Sequence, residues 1–287
     1  MLVSVAIEVF ITYLQTSGRS PETQRGYRIS LISFNRFLES QFNGPGYIDE
    51  IELSHLEGYL TYRKVQGDQA VSRNRLLSII RSFYNYLTKR ELVARDISLK
   101  LEPIRVQQKE RLHLDQSEVD ILVESIRHPI VKAAVKTLAY TGLRVSELCH
   151  LKLDDVDLDR GIIKVIAGKG NKDRLVPMCA KLKAILQEYL HNTRPVADTD
   201  LFFATEKTGQ LSPVYVNRIL KQATDELGWS KHVTAHILRH SFASNLVRSK
   251  APLVAIQKIL GHSDLRMTSH YLHQNMIELQ DAVNLLQ

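Results

Sequence analysis

Between Leu99 and Leu112 the apolar periodicity that runs through the rest of the chain stops. Pro103, Arg105, Gln107, Gln108, Lys109 and Arg111 stand in that stretch, polar and basic with no apolar period among them, as in a segment joining two folded parts. The break predicts two domains, and 287 residues accommodate them at about 150 residues each. Hydrophobic residues at 44% and charged residues at 24% exclude a disordered chain and predict a single, dry core.

On both sides of the break the apolar spacing is helical. Ser20 as N-cap and Pro21 in the first turn open a helix with Tyr27, Leu31, Phe34 and Leu38 on one stripe, ended by Gly44, Pro45 and Gly46. The apolar start, from Met1 to Ile7, has no basic residue ahead of it and is interrupted by Glu8, so it reads as a short amphipathic helix and not as a signal peptide or membrane span. A second helix is expected from about Ser54 to Lys64, before Gly67, and a third from about Ala70. That third helix buries Leu76, Leu77, Ile80, Phe83, Tyr84 and Leu87, while Asn74, Ser78, Arg81 and Asn85 line its opposite side with Arg75 and Ser82 beside them. Such a stripe suits either a solvated face or a helix lying in a DNA groove, where Arg and Asn read base edges and Ser contacts phosphate.

Past the break, Asp115 and Glu118 form a capping box ahead of Val119, Leu122, Val123 and Ile126. One stretch departs from the helical pattern. Ile162–Ile166 and Leu175–Val176 flank a Gly/Asn-rich turn, and Gly161 marks another turn at the near end, so a small antiparallel sheet is expected within a mainly α fold. Ser212 and Pro213 then start a helix carrying Val216, Ile219, Leu220, Ala223 and Leu227.

Charge narrows the partner. Thirty-eight Lys and Arg against 31 Asp and Glu leave a net +7, shared by both sides of the break, which favours a polyanion and puts nucleic acid first. Two cysteines, Cys149 and Cys179, cannot build a disulfide framework or a four-cysteine zinc site, and they fit a reducing cytoplasm.

Four short patterns follow one another: Thr141-Gly142-Leu143-Arg144-Val145-Ser146-Glu147-Leu148; Gly168-Lys169-Gly170-Asn171-Lys172; His236-Ile237-Leu238-Arg239-His240; and Leu260-Gly261-His262-Ser263 followed by Tyr271. Each alone has an ordinary reading. Arg144 can face solvent, Lys169 and Lys172 can keep a hairpin tip soluble, His262 can stabilise a helix end after Gly261, and Tyr271 can be a half-buried aromatic. His236 and His240 sit i, i+4 as in a zinc helix, but Ile237 stands where such a site needs its Glu, and His240 reads as structural. Together and in this order, the four patterns resemble the tyrosine recombinase (phage integrase) family, most closely its compact Xer-type members. Ser20-Pro21-Glu22-Thr23 with Tyr27 is similar to that family's core-binding domain.

The resemblance implies an N-terminal core-binding, SAM-like bundle of four or five helices over 1–102, a linker over 103–112, and a mostly helical catalytic domain with a small antiparallel sheet over 113–287. The core-binding pattern begins almost at Met1, so no arm-binding module is expected ahead of it. Transfer of a phosphodiester without metal or cofactor requires cations on the phosphate, a proton for the leaving oxygen and a covalent store for the bond. The resemblance supplies each of these. Tyr271 matches the nucleophile, Arg144 and Arg239 the pair holding the non-bridging oxygens, and Lys169 the general acid. His236 and His262 match hydrogen-bonding positions beside the phosphate. Glu147 and His240 are expected behind them as orienting residues, and Lys172 and Arg174 join Asn74, Arg75, Ser78, Arg81 and Asn85 as expected DNA contacts.

Met276, Leu279, Val283 and Leu286 form a final apolar stripe, expected to dock on a neighbouring copy within a tetramer assembled on double-stranded DNA, where strands exchange through a Holliday junction. A second recombinase or an accessory protein is a possible partner, a membrane is not, and the role implied is dimer or cointegrate resolution or element integration. Two rivals stay open: a topoisomerase IB-like or hairpin-forming strand transferase that needs only one site, and a non-catalytic DNA-binding relative.

Overall fold

The computed structural model describes residues 1–106, 112–166 and 173–261. The chain divides into two compact units, Met1–Lys109 and Glu110–Gln287. Each has its own core, and a third small cluster of Ala243, Ile256 and Leu260 sits beside the second. The expected single core is therefore replaced by one per unit. In the stretch 101–106 only Leu101 is buried, and it belongs to the first cluster.

The first unit is built from α1 (Val3–Thr16), α2 (Pro21–Phe42), α3 (Leu53–Val65) and α4 (Ala70–Lys89), followed by a 3-10 turn at Ile97–Lys100. Ser20 Oγ accepts the Thr23 amide at 3.3 Å and caps α2 as its sequence predicts. The helix stops one residue before Gly44, at Asn43, which takes the left-handed conformation itself (φ 53°). The central helix is α4, packed against α1, α2 and α3, and this explains why Ile79 and Tyr86 are buried beyond the predicted apolar face. Tyr86 meets Phe10 and Tyr13 of α1, with ring centroids 5.2 and 4.7 Å away.

In the second unit the Asp115–Glu118 capping box forms in both directions and starts α5 (Gln116–Ser125). Next comes α6 (Pro129–Thr141), apolar around most of its circumference and buried accordingly, with α5 and α10 (Ala235–Arg248) among its neighbours. After the short α7 (Val145–Cys149) the chain forms an antiparallel sheet in the order β1 (Val156–Asp157), β2 (Ile162–Val165), β3 (Arg174–Pro177). Register pairs Ile163 with Val176 and Val165 with Arg174, so Ile163, Val165 and Val176 turn inward while Lys164 and Leu175 face out. The remaining helices are α8 (Ala180–Glu188), continued by one π-turn over Tyr189–Thr193, α9 (Pro213–Glu226) and α11 (Leu253–Leu260). Ser212 caps α9 and Pro213 starts it, as expected. Among the described residues no helix is long and apolar enough to cross a membrane.

Candidate active site

Gly142 ends α6 in the left-handed conformation, φ +63°. A Cβ there would come within 2.4 Å of Phe242 Cδ1 and 2.8 Å of Leu260 Cδ2, so conformation and space both require glycine, and α10 and α11 close directly onto this turn. Two residues on, Arg144 is extended and serves as N-cap of α7. Its amide donates to Glu147 Oε2 at 2.7 Å and its Nη1 to Glu147 Oε1 at 2.7 Å. The Arg144 side chain keeps 38% of its surface exposed, while Glu147 keeps 11%.

Arg174 completes the carboxylate's shell from β3. Its Nη1 and Nη2 donate to Glu147 Oε1 and Oε2 at 2.9 and 2.8 Å, a bidentate pair, and its Nε donates to the Ile259 carbonyl at 2.8 Å. Burial of Glu147 opposes its ionisation, but the hydrogen bonds from Arg174 and from the amide and side chain of Arg144, with the charge of Arg174, outweigh it and bring the carboxyl down to about 2.

Arg239, on α10, is 4% exposed. Its Nη1 donates to the Gly142 carbonyl and its Nη2 to the Leu260 carbonyl, both at 2.6 Å. The last carbonyls of α11 are thus held by two arginines, Ile259 by Arg174 and Leu260 by Arg239, each also tied to the α6–α7 junction. Thr234 caps α10, and the Ala235 amide donates to Asn217 Oδ1 at 2.9 Å, which fixes the first turn carrying His236. His236 is exposed and His240 buried, their rings edge to face with centroids 4.7 Å apart. Gly261 ends α11 in the left-handed conformation, as the sequence predicts.

Six of the residues singled out by sequence, Arg144, Glu147, Arg174, His236, Arg239 and His240, lie around or beside this junction of α6, α7, β3, α10 and α11. Arg174 differs from expectation. Its Nε, Nη1 and Nη2 are all committed, to the Ile259 carbonyl and to both oxygens of Glu147, so the guanidinium serves this junction in place of the expected DNA contact. The signal for this was present. Alternation from inward-facing Val176 puts Arg174 on the core side of β3, and a buried guanidinium needs a carboxylate. Sequence reasoning also passed over Asn217, because a bond across 18 residues has no local pattern, and Thr234, whose place three residues before Ile237 is an ordinary N-cap signal that could have found it. Lys169, Lys172, His262, Tyr271 and the 276–286 stripe lie outside the described residues.

In the first unit the polar side of α4 is partly covered. Asn74 Nδ2 donates to the Ile104 carbonyl at 2.7 Å and Asn74 Oδ1 accepts the Ile104 amide at 2.8 Å, while Arg81 donates to the Leu101 carbonyl. Both side chains therefore tether the segment after the 3-10 turn, in place of the open groove-facing donors the helical stripe suggested. Arg75, Ser78 and Asn85 remain exposed.

A model of the phage integrase family matches residues 113–278, and a model of the phage integrase N-terminal SAM-like domain matches residues 7–91. The chain belongs to the phage integrase family. Its relatives are tyrosine recombinases, and it is an enzyme of that class. Tyrosine recombinase XerD of Staphylococcus saprophyticus is 32% identical over 97% of each chain. Tyrosine recombinase XerC of Xanthomonas axonopodis pv. citri is also 32% identical, over 97% of this chain and 96% of its own. The Tn1549 transposon integrase, in a structure with circular intermediate DNA, superposes with a TM-score of 0.82 over 97% of this recombinase and 98% of that chain; at 18% identity this likeness speaks to fold alone.

Proposed function

We propose that this recombinase cleaves and rejoins DNA at specific sites through a 3′-phosphotyrosyl intermediate on Tyr271. The observation that carries the reading is the meeting of Arg144 and Arg239 at the Gly142 turn: one arginine is capped into place by Glu147, the other is bonded to the Gly142 and Leu260 carbonyls. Two planar guanidiniums fixed by surrounding structure suit the non-bridging oxygens of a phosphate, whose charge grows as the phosphorus becomes five-coordinate.

In the proposed step the Tyr271 phenol loses its proton with help from His236, and its oxygen bonds to phosphorus. The bond to the 5′-oxygen breaks, and that oxygen takes a proton from Lys169. A second DNA 5′-hydroxyl then attacks the phosphotyrosine and releases Tyr271, so joining needs no external energy source. His262 donates a hydrogen bond beside the phosphate, and His240 supports His236 from the same helix. Paired exchanges by four copies through a Holliday junction, with the 276–286 stripe docked on the next copy, complete the proposal and place the work with the DNA in the cytoplasm.

The test uses nicked suicide duplexes drawn from the DNA flanking the recombinase's own gene. Wild type is expected to form a covalent protein–DNA adduct, and Tyr271→Phe to form none while binding with unchanged affinity. An adduct from the Phe variant makes another residue the nucleophile. Adduct formation and relaxation that never require two sites would favour the topoisomerase-like alternative.

A further inference from the structure

The position of Arg174 in β3 does more than bury a charge. A carboxylate offers about four lone-pair sites, and Glu147 fills them with the Arg144 amide, Arg144 Nη1, Arg174 Nη1 and Arg174 Nη2. Half of the groups fixing Glu147 therefore come from Arg174, and Glu147 is what orients the half-exposed Arg144 side chain. Charge follows the same logic. Two guanidiniums around one carboxylate leave a net positive charge, whereas Arg144 and Glu147 alone would cancel and leave little attraction for phosphate. The same side chain also reaches the end of α11: Nε holds the Ile259 carbonyl, and a Cβ on Gly261 would lie 3.0 Å from Arg174 Cδ and 3.1 Å from Nη1. Gly261 is thus the residue whose missing side chain lets the arginine pass.

We infer that Arg174 is a positioning residue of the recombinase reaction, holding Arg144 through Glu147 and the end of α11 through Ile259, and that it makes no DNA contact. The inference rests on the reading of Arg144 as a phosphate-holding residue. It separates Arg174 from the other basic residues near the site, because a DNA contact and a positioning residue fail in opposite ways.

The experiment takes the full chain and the nicked duplexes described above. DNA affinity is measured across a salt series, and the rate of adduct formation under single-turnover conditions at saturating protein. Arg174→Lys keeps a charge but loses the bidentate geometry. It is expected to bind with wild-type affinity and salt slope while its saturated rate falls at least tenfold. In a Glu147→Gln background the same change is expected to cost much less than in wild type, because the path through Glu147 is already broken and only the hold on Ile259 remains. A shallower salt slope by about one, with the saturated rate intact, would make Arg174 a phosphate contact and overturn the inference, as would rate losses that multiply in the double variant. Should Arg174→Lys fail to fold, Glu147→Gln alone decides. Binding no weaker than wild type with a slowed saturated rate supports the brace, and a full rate refutes it. If wild type itself forms no adduct, the functional reading falls and this inference with it, a result seen before any Arg174 variant is made.

Discussion

At the scale of single residues, the α6–α7 junction concentrates strict requirements in a few positions. Gly142→Ala has to take φ +63° with its new methyl 2.4 Å from Phe242 Cδ1, and it is expected to destabilise the protein by about 3 kcal/mol in urea denaturation. A loss under about 0.5 kcal/mol would mean that α10 moves aside freely. Glu147 predicts a pH dependence whose sign follows from its depressed carboxyl. Since the folded value lies near 2 and the unfolded value near 4.5, its contribution is complete above the unfolded value and lost as pH falls from about 4.5 through about 2. Glu147→Gln should therefore be less stable than wild type by roughly 3 kcal/mol at neutral pH, the free energy that goes with lowering the carboxyl from 4.5 to about 2. That deficit should close progressively below pH 4.5 in denaturant titrations, and a deficit constant down to pH 2 would show that the charge is not what stabilises. The pair behind this effect was half legible. Glu147 could be placed beside Arg144 from their spacing, but Arg174 lies 27 residues away, and only the strand register brings it back.

At the scale of elements, α4 shows how a polar stripe divides between uses. Its apolar face followed from helical spacing, and Leu77, Ile80, Phe83, Tyr84 and Leu87 are buried as that spacing requires. The outer stripe looked uniform in sequence, yet Asn74 and Arg81 hold backbone at 104 and 101 while Arg75 stays open. Asn74→Ala should accordingly speed hydrogen exchange at the Ile104 amide and cost about 1–2 kcal/mol of stability, with no change in the salt dependence of DNA binding. Arg75→Ala should do the reverse, lowering the salt slope by about one and leaving stability within 0.5 kcal/mol. Equal salt effects from the two variants would mean that Asn74 is released on DNA. Nothing in the sequence separated the two, because a helix's outer face is covered by whatever segment the rest of the fold delivers to it.

At the scale of the whole molecule, the two cores make a separate claim. All residues of the first cluster lie between Val3 and Leu101, so a fragment of residues 1–106 should melt as one cooperative helical transition; a broad, non-cooperative melt would show that the second unit completes its core. The division itself was visible as the loss of period after Leu99, and the mainly helical class with one small antiparallel sheet was visible as the change of apolar spacing at Ile162. Those are local properties. Helix, strand and cap depend on residues a few positions apart, and so the amino-acid order alone determines them, together with the kinds of side chain from which a phosphate site is assembled. Which of those side chains meet was decided by tertiary packing. Arg239 reaches the Gly142 carbonyl across 97 residues and Arg174 the Ile259 carbonyl across 85. Contacts at that separation exist only because two glycine turns leave room for α6, α10, α11 and β3 to close on one another, and close packing then allows each guanidinium one place to go.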